Sequence, residues 1–160
     1  MLNSYHLIVE EHPSSHDIDF LEQRIIDFNY GQTRSSDGRG LACFVRDGQG
    51  QIVAGISGYT WAGMAEIEFL WVADGLRGEG VGSQLLNAVE AEARARGCAL
   101  IITSSYSFQA PGFYQRQGYE VVGRIENCPP GHTNLWLKKE LHADSPVDRR
   151  ESPEDAGGME

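Results

Sequence analysis

The chain has 160 residues and a formal net charge of −10, a length that fits one globular domain with enough apolar chain to bury a core. Its hydrophobic content of 41% and charged content of 22% are ordinary for such a domain. The acidic excess argues against nucleic acid as a partner. It is compatible with a cationic substrate, and equally with a surface charge that only keeps the protein soluble.

The three cysteines, Cys43, Cys98 and Cys128, are scattered and have neither CxxC spacing nor nearby histidine partners. This pattern predicts a reducing compartment, no disulfide framework and no metal site. The first residues do not place a basic segment before an apolar one, and no apolar run approaches membrane-spanning length. We therefore expect a cytoplasmic protein without a membrane partner.

The first quarter of the chain predicts a strand, a helix and a loop. Apolar and polar residues alternate over residues 4–11, as in a strand, and His12 and Pro13 end this pattern. Apolar residues then recur at helical spacing from Ile18 to Phe28, with Ser15 as the predicted N-cap. Residues 31–40 are polar and contain three glycines, which predicts a loop.

The next segment predicts three antiparallel strands. Residues 41–46 and 51–60 are strand-like runs on either side of Asp47-Gly48-Gln49-Gly50, which is a typical hairpin sequence. A turn at residues 61–63 leads into a third, more apolar strand over residues 66–72. These three strands therefore form the first half of the predicted sheet.

A glycine-rich turn and an amphipathic helix follow the third strand. Arg77, Gly80 and Gly82 stand in the order Arg-x-x-Gly-x-Gly, and apolar residues from Val81 to Ala93 mark one face of a helix. Free amides at the start of a helix bind anions, and glycines let a phosphate group approach them. The alternative is a turn whose glycines only relieve crowding. A dinucleotide-binding turn is disfavoured because Leu85 stands where a third glycine is required.

The remaining segments predict the second half of the sheet. Residues 98–103 form a buried strand that the preceding crossover helix places parallel to the strand over residues 66–72. A short helix to about residue 117, a strand over residues 119–125 and a last strand over residues 132–141 follow. Residues 142–160 are acidic, rich in Pro and Gly, and predicted to be disordered.

Two segments resemble the signatures of the GCN5-related N-acetyltransferase (GNAT) family. Arg77, Gly80 and Gly82 match the acyl-CoA pyrophosphate loop, whose pattern is Gln/Arg-x-x-Gly-x-Gly/Ala. Residues 110–119 are similar to the second signature, Ala-x-x-Phe-Tyr-x-x-x-Gly-Phe/Tyr. The resemblance implies an α/β fold over residues 1–141, with a mixed sheet of six or seven strands, about four flanking helices and a splayed central strand pair. Residues 142–160 would form a separate acidic tail.

The resemblance also implies an activity, namely direct transfer of an acetyl group from the thioester of acetyl-CoA to a primary amine of a small molecule. Acetyl-CoA would be the cosubstrate, and no metal would take part. A protein N-acetyltransferase and a non-catalytic acyl-CoA sensor are the alternatives. The implied partner is a small-molecule amine rather than nucleic acid or a membrane, and a homodimer is compatible with the sequence.

The resemblance assigns Tyr114 as the general acid that protonates the departing CoA sulfur, a core tyrosine being the alternative. Glu66 and Glu68 are two residues apart on one strand, so they share a face. Either is a candidate base acting through a water, with Glu66 favoured, or a partner in a structural salt bridge. The carbonyl would be polarised by a backbone amide near Val72. The expected cofactor-binding residues are Leu70, Trp71, Val72, Arg77, Gly78, Glu79, Gly80, Val81, Gly82, Ser83 and Phe113.

The acceptor amine is expected to bind beside Tyr59, Trp61 and Glu68, because aromatic walls and carboxylates suit an amine. These aromatic side chains and Trp71 are equally compatible with a core or with a dimer face. In the GNAT family the region corresponding to residues 31–40 covers the acceptor site, so these residues form either a substrate loop or a simple connector. The five histidines show no ligand spacing.

Overall fold

The computed structural model describes residues 6–141, which form a six-stranded mixed sheet and three α-helices. The strands are numbered in chain order, and they lie in the sheet in the order β1-β2-β3-β4-β6-β5. Their bounds are β1 (Arg39–Arg46), β2 (Ile52–Trp61), β3 (Met64–Val72), β4 (Leu100–Tyr106), β5 (Glu120–Glu126) and β6 (Thr133–Glu140). The helices are α1 (Ser15–Thr33), α2 (Val81–Ala95) and α3 (Pro111–Arg116), and a short 3-10 turn (Asp74–Leu76) precedes α2.

The sheet confirms the predicted α/β fold. Strands β1, β2 and β3 form an antiparallel meander, and the crossover through α2 makes β4 parallel to β3. Strands β4, β6 and β5 then pair antiparallel. Residues 6–141 contain six strands, as expected, and three α-helices rather than about four.

The core lies between α2 and one face of the sheet. Leu85, Leu86, Val89 and Ala93 form the predicted apolar stripe of α2, and all four are buried. The helix packs on β1, β2 and β3, with Ile56, Ile67 and Ile101 among the buried residues of the same cluster. Burying each large apolar side chain stabilises the fold by about 2 kcal/mol, so this packing fixes the position of the glycine-rich turn.

A β-bulge interrupts the pairing of β2 with β3. Ser57 pairs with Phe69 but Gly58 pairs with Ile67, so Glu68 is an extra residue on β3. Such a bulge changes which residues of the strand face the core. Ile67 faces the core before the bulge, and Leu70 packs against the core after it. Strict alternation would place Ile67 and Leu70 on opposite faces of the sheet, but the bulge places both side chains on the core face.

Strands β3 and β4 part soon after they meet. Their parallel pairing extends only from Met64–Leu100 to Ile67–Thr103. Beyond Ile67, β3 continues to Val72 beside β2, whereas β4 continues to Tyr106 beside β6. The predicted splayed central pair is thus present, and we call the point where Ile67 and Thr103 separate the fork.

The predicted first strand is wrong for the residues that the structure describes. Residues 6–10 have no regular secondary structure, and the side chains of Leu7, Ile8 and Val9 are exposed. Alternation alone cannot form a strand without a neighbour that supplies hydrogen bonds, and the first strand in residues 6–141 is β1. Residues 4 and 5 of that prediction, and the tail at residues 142–160, lie outside the described residues.

Helix α1 differs from its prediction at both ends. Ser14, not Ser15, is the N-cap, and its side-chain oxygen accepts a hydrogen bond from the Asp17 amide at 3.1 Å. The helix continues to Thr33, where Arg34 adopts a left-handed conformation and donates its amide to the Tyr30 carbonyl at 2.8 Å. The predicted loop at residues 31–40 therefore shrinks to residues 34–38. No helix within residues 6–141 is long and apolar enough to cross a membrane.

The bulge generates a prediction for Gly58. A Cβ atom at this position would overlap the backbone carbonyl of Glu66, so Gly58→Ala must displace β3 at the bulge. We expect the substitution to lower the free energy of unfolding by about 1–3 kcal/mol in urea denaturation. Gly48→Ala is the matched control, because a Cβ there meets no atom within 4 Å. Equal losses in the two variants would contradict the steric argument.

Candidate active site

One cavity lies between the outer part of β3, the start of α2 and α3. Its volume is about 690 Å³, and we call it the cofactor cavity. It is lined by all the predicted cofactor-binding residues except Glu79, which is exposed. The Glu79 carboxylate would repel an anionic ligand, so the position of Glu79 outside the cavity is physically reasonable. The cavity is lined by Leu70, Trp71, Val72, Leu76, Arg77, Gly78, Gly80, Val81, Gly82, Ser83, Phe108, Gln109, Ala110, Phe113, Arg116 and Gln117.

The glycine-rich turn forms the anion-binding end of this cavity. Gly80 is the N-cap of α2 and has a φ of 79°, a left-handed conformation that favours glycine. A Cβ at Gly78 or Gly80 would meet no atom within 4 Å, so the space above the turn is open. The first amides of α2 have no acceptor within the helix and carry the positive end of its dipole. The residues therefore fit a diphosphate group.

Two arginines border the same cavity. Arg77 is held in the turn, because its Nε donates to the Val72 carbonyl at 3.0 Å and its guanidinium pairs with Asp74 at 2.9 Å. Arg116 of α3 was not predicted. The signal was present in the sequence, because Arg116 follows Phe113 by three residues and shares its helical face.

Trp71 is 52% exposed and lines the cavity, so it does not belong to the core. Phe113 lies on the same wall, where its ring is in contact range of the position that a Cβ on Gly82 would take. Together with Leu70 and Val72 these side chains give the cavity an apolar wall beside its polar end. Such a combination suits an elongated ligand that has a charged group at one end and an apolar arm.

Tyr114 lies beside the fork and is only 6% exposed. Thr103 donates its hydroxyl to the Ile67 carbonyl at 3.0 Å, and its side chain neighbours the Tyr114 phenol. The Tyr114 ring packs edge-on against Phe113, with centroids 5.2 Å apart, and against Tyr119 at 5.5 Å. Burial raises the pKa of Tyr114, and the neighbouring Thr103 side chain lowers it by less. The phenol therefore keeps its proton at neutral pH.

Glu66 lies just before the fork, on the face of β3 opposite to Ile67. The Tyr59 hydroxyl donates to its carboxylate at 2.6 Å. The pKa of Tyr59 is raised to about 12, mainly by this hydrogen bond and secondly by burial. Tyr59, which was predicted only as a pocket wall, therefore also holds the Glu66 carboxylate in place. Within residues 6–141 neither Glu66 nor Glu68 forms an ion pair.

A second cavity, of about 790 Å³, lies between α1, the loop after it and the β2–β3 hairpin. We call it the acceptor pocket. The three predicted substrate-binding residues, Tyr59, Trp61 and Glu68, all line it. Its other lining residues are Glu22, Gln23, Ile26, Asp27, Asn29, Tyr30, Ser35, Ser36, Gly38, Arg39 and Gly40. Strand β3 borders both cavities, since Glu68 lines the acceptor pocket and Leu70 lines the cofactor cavity.

Helix α1 contributes residues to the acceptor pocket that the sequence analysis did not assign. Glu22, Ile26 and Tyr30 follow one another at a spacing of four, which places them on one helical face. The loop at residues 34–38 joins this wall to the hairpin, where the Trp61 indole donates to the Ser35 carbonyl at 3.4 Å.

Among residues 6–141, no three His, Cys, Asp or Glu side chains are grouped as metal ligands would be.

Comparison with known proteins places this geometry in a family. Residues 3–119 match the model described as the Acetyltransferase (GNAT) family. The chain therefore belongs to the GNAT family and is an N-acetyltransferase.

Relatives agree with this assignment. Blasticidin-S acetyltransferase of Streptomyces morookaense is 42% identical over 94 residues, which cover 58% of this chain and 69% of that protein. The 1.9 Å crystal structure of an acetyltransferase from Bacillus cereus ATCC 14579 has a TM-score of 0.72 and 31% identity, covering 84% of this chain and 98% of that one. Aminoglycoside 6'-N-acetyltransferase complexed with coenzyme A has the same fold, with a TM-score of 0.58, 20% identity, and coverage of 66% and 75%.

The bond between Tyr59 and Glu66 generates a prediction. Tyr59→Phe keeps the ring but removes the donor that holds the carboxylate. We expect kcat for acetyl transfer to fall by about threefold to tenfold, which corresponds to a typical net hydrogen bond of about 1 kcal/mol, while the melting temperature stays nearly unchanged. Tyr106→Phe is the control, since its ring stacks on Phe108 away from Glu66. Unchanged kinetics in Tyr59→Phe would show that Glu66 needs no anchor.

Proposed function

We propose that this protein transfers the acetyl group of acetyl-CoA to a primary amine of a small molecule. The observation that carries the proposal is the arrangement around the fork. The cofactor cavity and the acceptor pocket both border β3 beyond Ile67, where the pairing of β3 with β4 has ended. Tyr114 lies on the core face of this opening and Glu66 on the opposite face. Neither side chain lines the cofactor cavity or the acceptor pocket, but an amine and a thioester that enter from the two cavities would meet near both of them.

The cofactor cavity fits the parts of acetyl-CoA. The amides of the turn, with Arg77 and Arg116 nearby, would hold the diphosphate. The apolar wall formed by Leu70, Val72 and Phe113 would hold the pantetheine arm. Acetyl-CoA supplies an activated acyl group, so the protein needs to orient it rather than to activate it. A backbone amide near Val72 would polarise its carbonyl.

The proposed reaction moves two protons. As the amine nitrogen forms a bond to the acetyl carbon, its proton passes through a water to the Glu66 carboxylate. The carbon–sulfur bond breaks, and the Tyr114 phenol protonates the departing sulfur. A buried phenol with a raised pKa is protonated at neutral pH and can serve in this role. Glu68, on the bulge, would bind the acceptor rather than take its proton.

The acceptor pocket favours a small cationic amine over a protein. Its volume lies in the range that holds drug-sized ligands, and α1 closes one side of it. Glu22, Asp27 and Glu68 outnumber Arg39 among its charged residues, and Trp61 adds an aromatic wall that suits a cation. Residues 34–38 would then act as a substrate loop. The cytoplasmic location and the homodimer stay predictions from the sequence.

Two assays test the proposal. Calorimetry with acetyl-CoA, CoA and NAD should give heat for the first two ligands only. Release of free CoA thiol should then be followed with a panel of amines, beginning with blasticidin S because of the relative that acts on it. Binding of acetyl-CoA without turnover on any amine would favour the sensor alternative. Turnover only on a peptide amine would favour protein acetylation.

Gly80 provides a test of the cofactor site. Gly80→Glu places a carboxylate in open space among the amides of the turn, so we expect acetyl-CoA affinity to fall by at least about a hundredfold, as like charges within a shielded site repel. Gly80→Ala is the matched control, because it introduces the same left-handed strain without the charge. Calorimetry measures both variants. Equal affinity in the two would remove the turn from the cofactor site.

Tyr114 provides a test of the acid. Tyr114→Phe keeps the packed ring but removes the transferable proton, so we expect kcat to fall by about a hundredfold or more, which is typical of a lost general acid. The KM for acetyl-CoA should stay within about twofold, since Tyr114 does not line the cofactor cavity. Because the pKa of Tyr114 is raised, wild-type kcat should not decline through its ionisation below the ordinary tyrosine pKa of about 10. Tyr106→Phe again serves as the control, and a variant as fast as wild type would refute the acid role.

A further inference from the structure

A buried charged cluster connects α2, β6 and the segment after α3. Its centre is Glu90 of α2, whose relative exposure is 2%. The Lys139 ammonium of β6 contacts both carboxylate oxygens, at 2.7 and 2.9 Å, and the Tyr119 hydroxyl donates to one of them at 3.2 Å. Arg94 adds a longer contact of 3.3 Å from the partly exposed edge. None of these four residues lines the cofactor cavity or the acceptor pocket.

Stability does not by itself account for this cluster. Removing a carboxylate and an ammonium from water costs several kcal/mol per ion, and apolar residues of similar size are often at least as stable in such a place. The cluster does, however, fix geometry, because Glu90 accepts from two different elements at once. Any displacement of Tyr119 leaves part of a buried charge without a partner, which is strongly unfavourable.

Tyr119 also contacts Tyr114, so it connects Tyr114 to the charged cluster. Its ring packs edge-on against the Tyr114 ring with centroids 5.5 Å apart and an interplanar angle of 68°. Its amide donates to the Tyr114 carbonyl at 3.0 Å. The Tyr119 ring is thus held at its hydroxyl end by Glu90 and at its backbone end by α3. Burial raises the pKa of Tyr119, and the Glu90 carboxylate raises it further, so the phenol remains a donor.

Helix α3 needs such anchors because it has only six residues. A helix of this length has almost no intrinsic stability, so tertiary contacts decide its position. A second anchor is the side-chain amide of Gln117, which donates to the Ser83 hydroxyl of α2 at 2.9 Å. The orientation of Tyr114 at the fork therefore depends on Glu90 and Tyr119, which lie outside the cavities, as well as on Gln117 and Ser83, which line the cofactor cavity.

We propose that Lys139, Glu90 and Tyr119 form a positioning unit that holds the Tyr114 phenol at the fork. Glu90 and Tyr119 are positioning residues in this proposal, because neither touches a reacting atom. The inference rests on the proposed role of Tyr114 as the general acid. It extends that role by naming the residues that set the geometry of the proton donor.

The first test is Tyr119→Phe, which keeps the edge-on ring and removes only the hydroxyl. We expect kcat, measured by CoA release with the panel amine that wild type acetylates fastest, to fall about fivefold, within the coupling range for residues in contact. The KM for acetyl-CoA should stay within about twofold. Arg94→Met is the matched control. It also removes a partner of Glu90 but does not touch the tyrosines, so kcat should be unchanged.

The Tyr114→Phe background separates positioning from general stability. If Tyr119 acts through the Tyr114 phenol, Tyr119→Phe should lower kcat no further in that background. Multiplying effects, or an equal loss in Arg94→Met, would overturn the positioning unit. If Tyr114→Phe alone were as active as wild type, the general-acid proposal would fail instead, so the two failures are distinguishable.

A second variant removes both buried charges together. Glu90→Leu with Lys139→Met should fold, because loss of a whole pair leaves no uncompensated charge in the core. We expect the same drop in kcat as in Tyr119→Phe, without a lowered melting temperature. A crystal structure of Tyr119→Phe supplies a readout that needs no amine. The Tyr114 hydroxyl should leave Thr103 in the variant, and an unmoved hydroxyl would overturn the proposal.

Discussion

The site depends on the separation of β3 from β4 after the Ile67–Thr103 pair. Within a sheet, each strand satisfies its backbone groups through its neighbours, so an interior opening exposes donors and acceptors that must find other partners. Here the outer part of β3 keeps β2 on one side, and residues 70–72 border the cofactor cavity. The bulge at Glu68 makes this possible by turning Leu70 toward the cofactor side of the sheet.

The chemistry of the opening follows from what each face of the fork can tolerate. The core face is closed by α2 and α3, so a phenol there is buried and remains protonated. The opposite face holds Glu66, whose carboxylate accepts a hydrogen bond from Tyr59, a residue that lines the acceptor pocket. In the proposed reaction, the acid and the base would therefore act from opposite faces of the strand pair.

Helix α1 and helix α2 have different relations to the sheet. Helix α2 buries its apolar stripe, and this packing fixes the turn that precedes it. Helix α1 has no buried residue, and it reaches the hairpin through the short loop that carries Ser35 and Asp37. The glycine-rich turn is thus built on a helix with a buried apolar face. The acceptor end is built on a helix held by few contacts, which suits a pocket that varies with the substrate.

Local patterns in the sequence determined the strands from β1 onward, the crossover through α2 and the glycine-rich turn, because these depend on periodicity, glycine positions and short spacing. The same patterns could not exclude the first strand, since residues 6–10 alternate but have no partner strand in the structure. Only the tertiary structure decided which side chains meet across long separations: Tyr59 with Glu66, α1 with the hairpin, and Glu90 with Lys139 and Tyr119. Such contacts come from packing and register, which a single sequence does not encode in any local pattern.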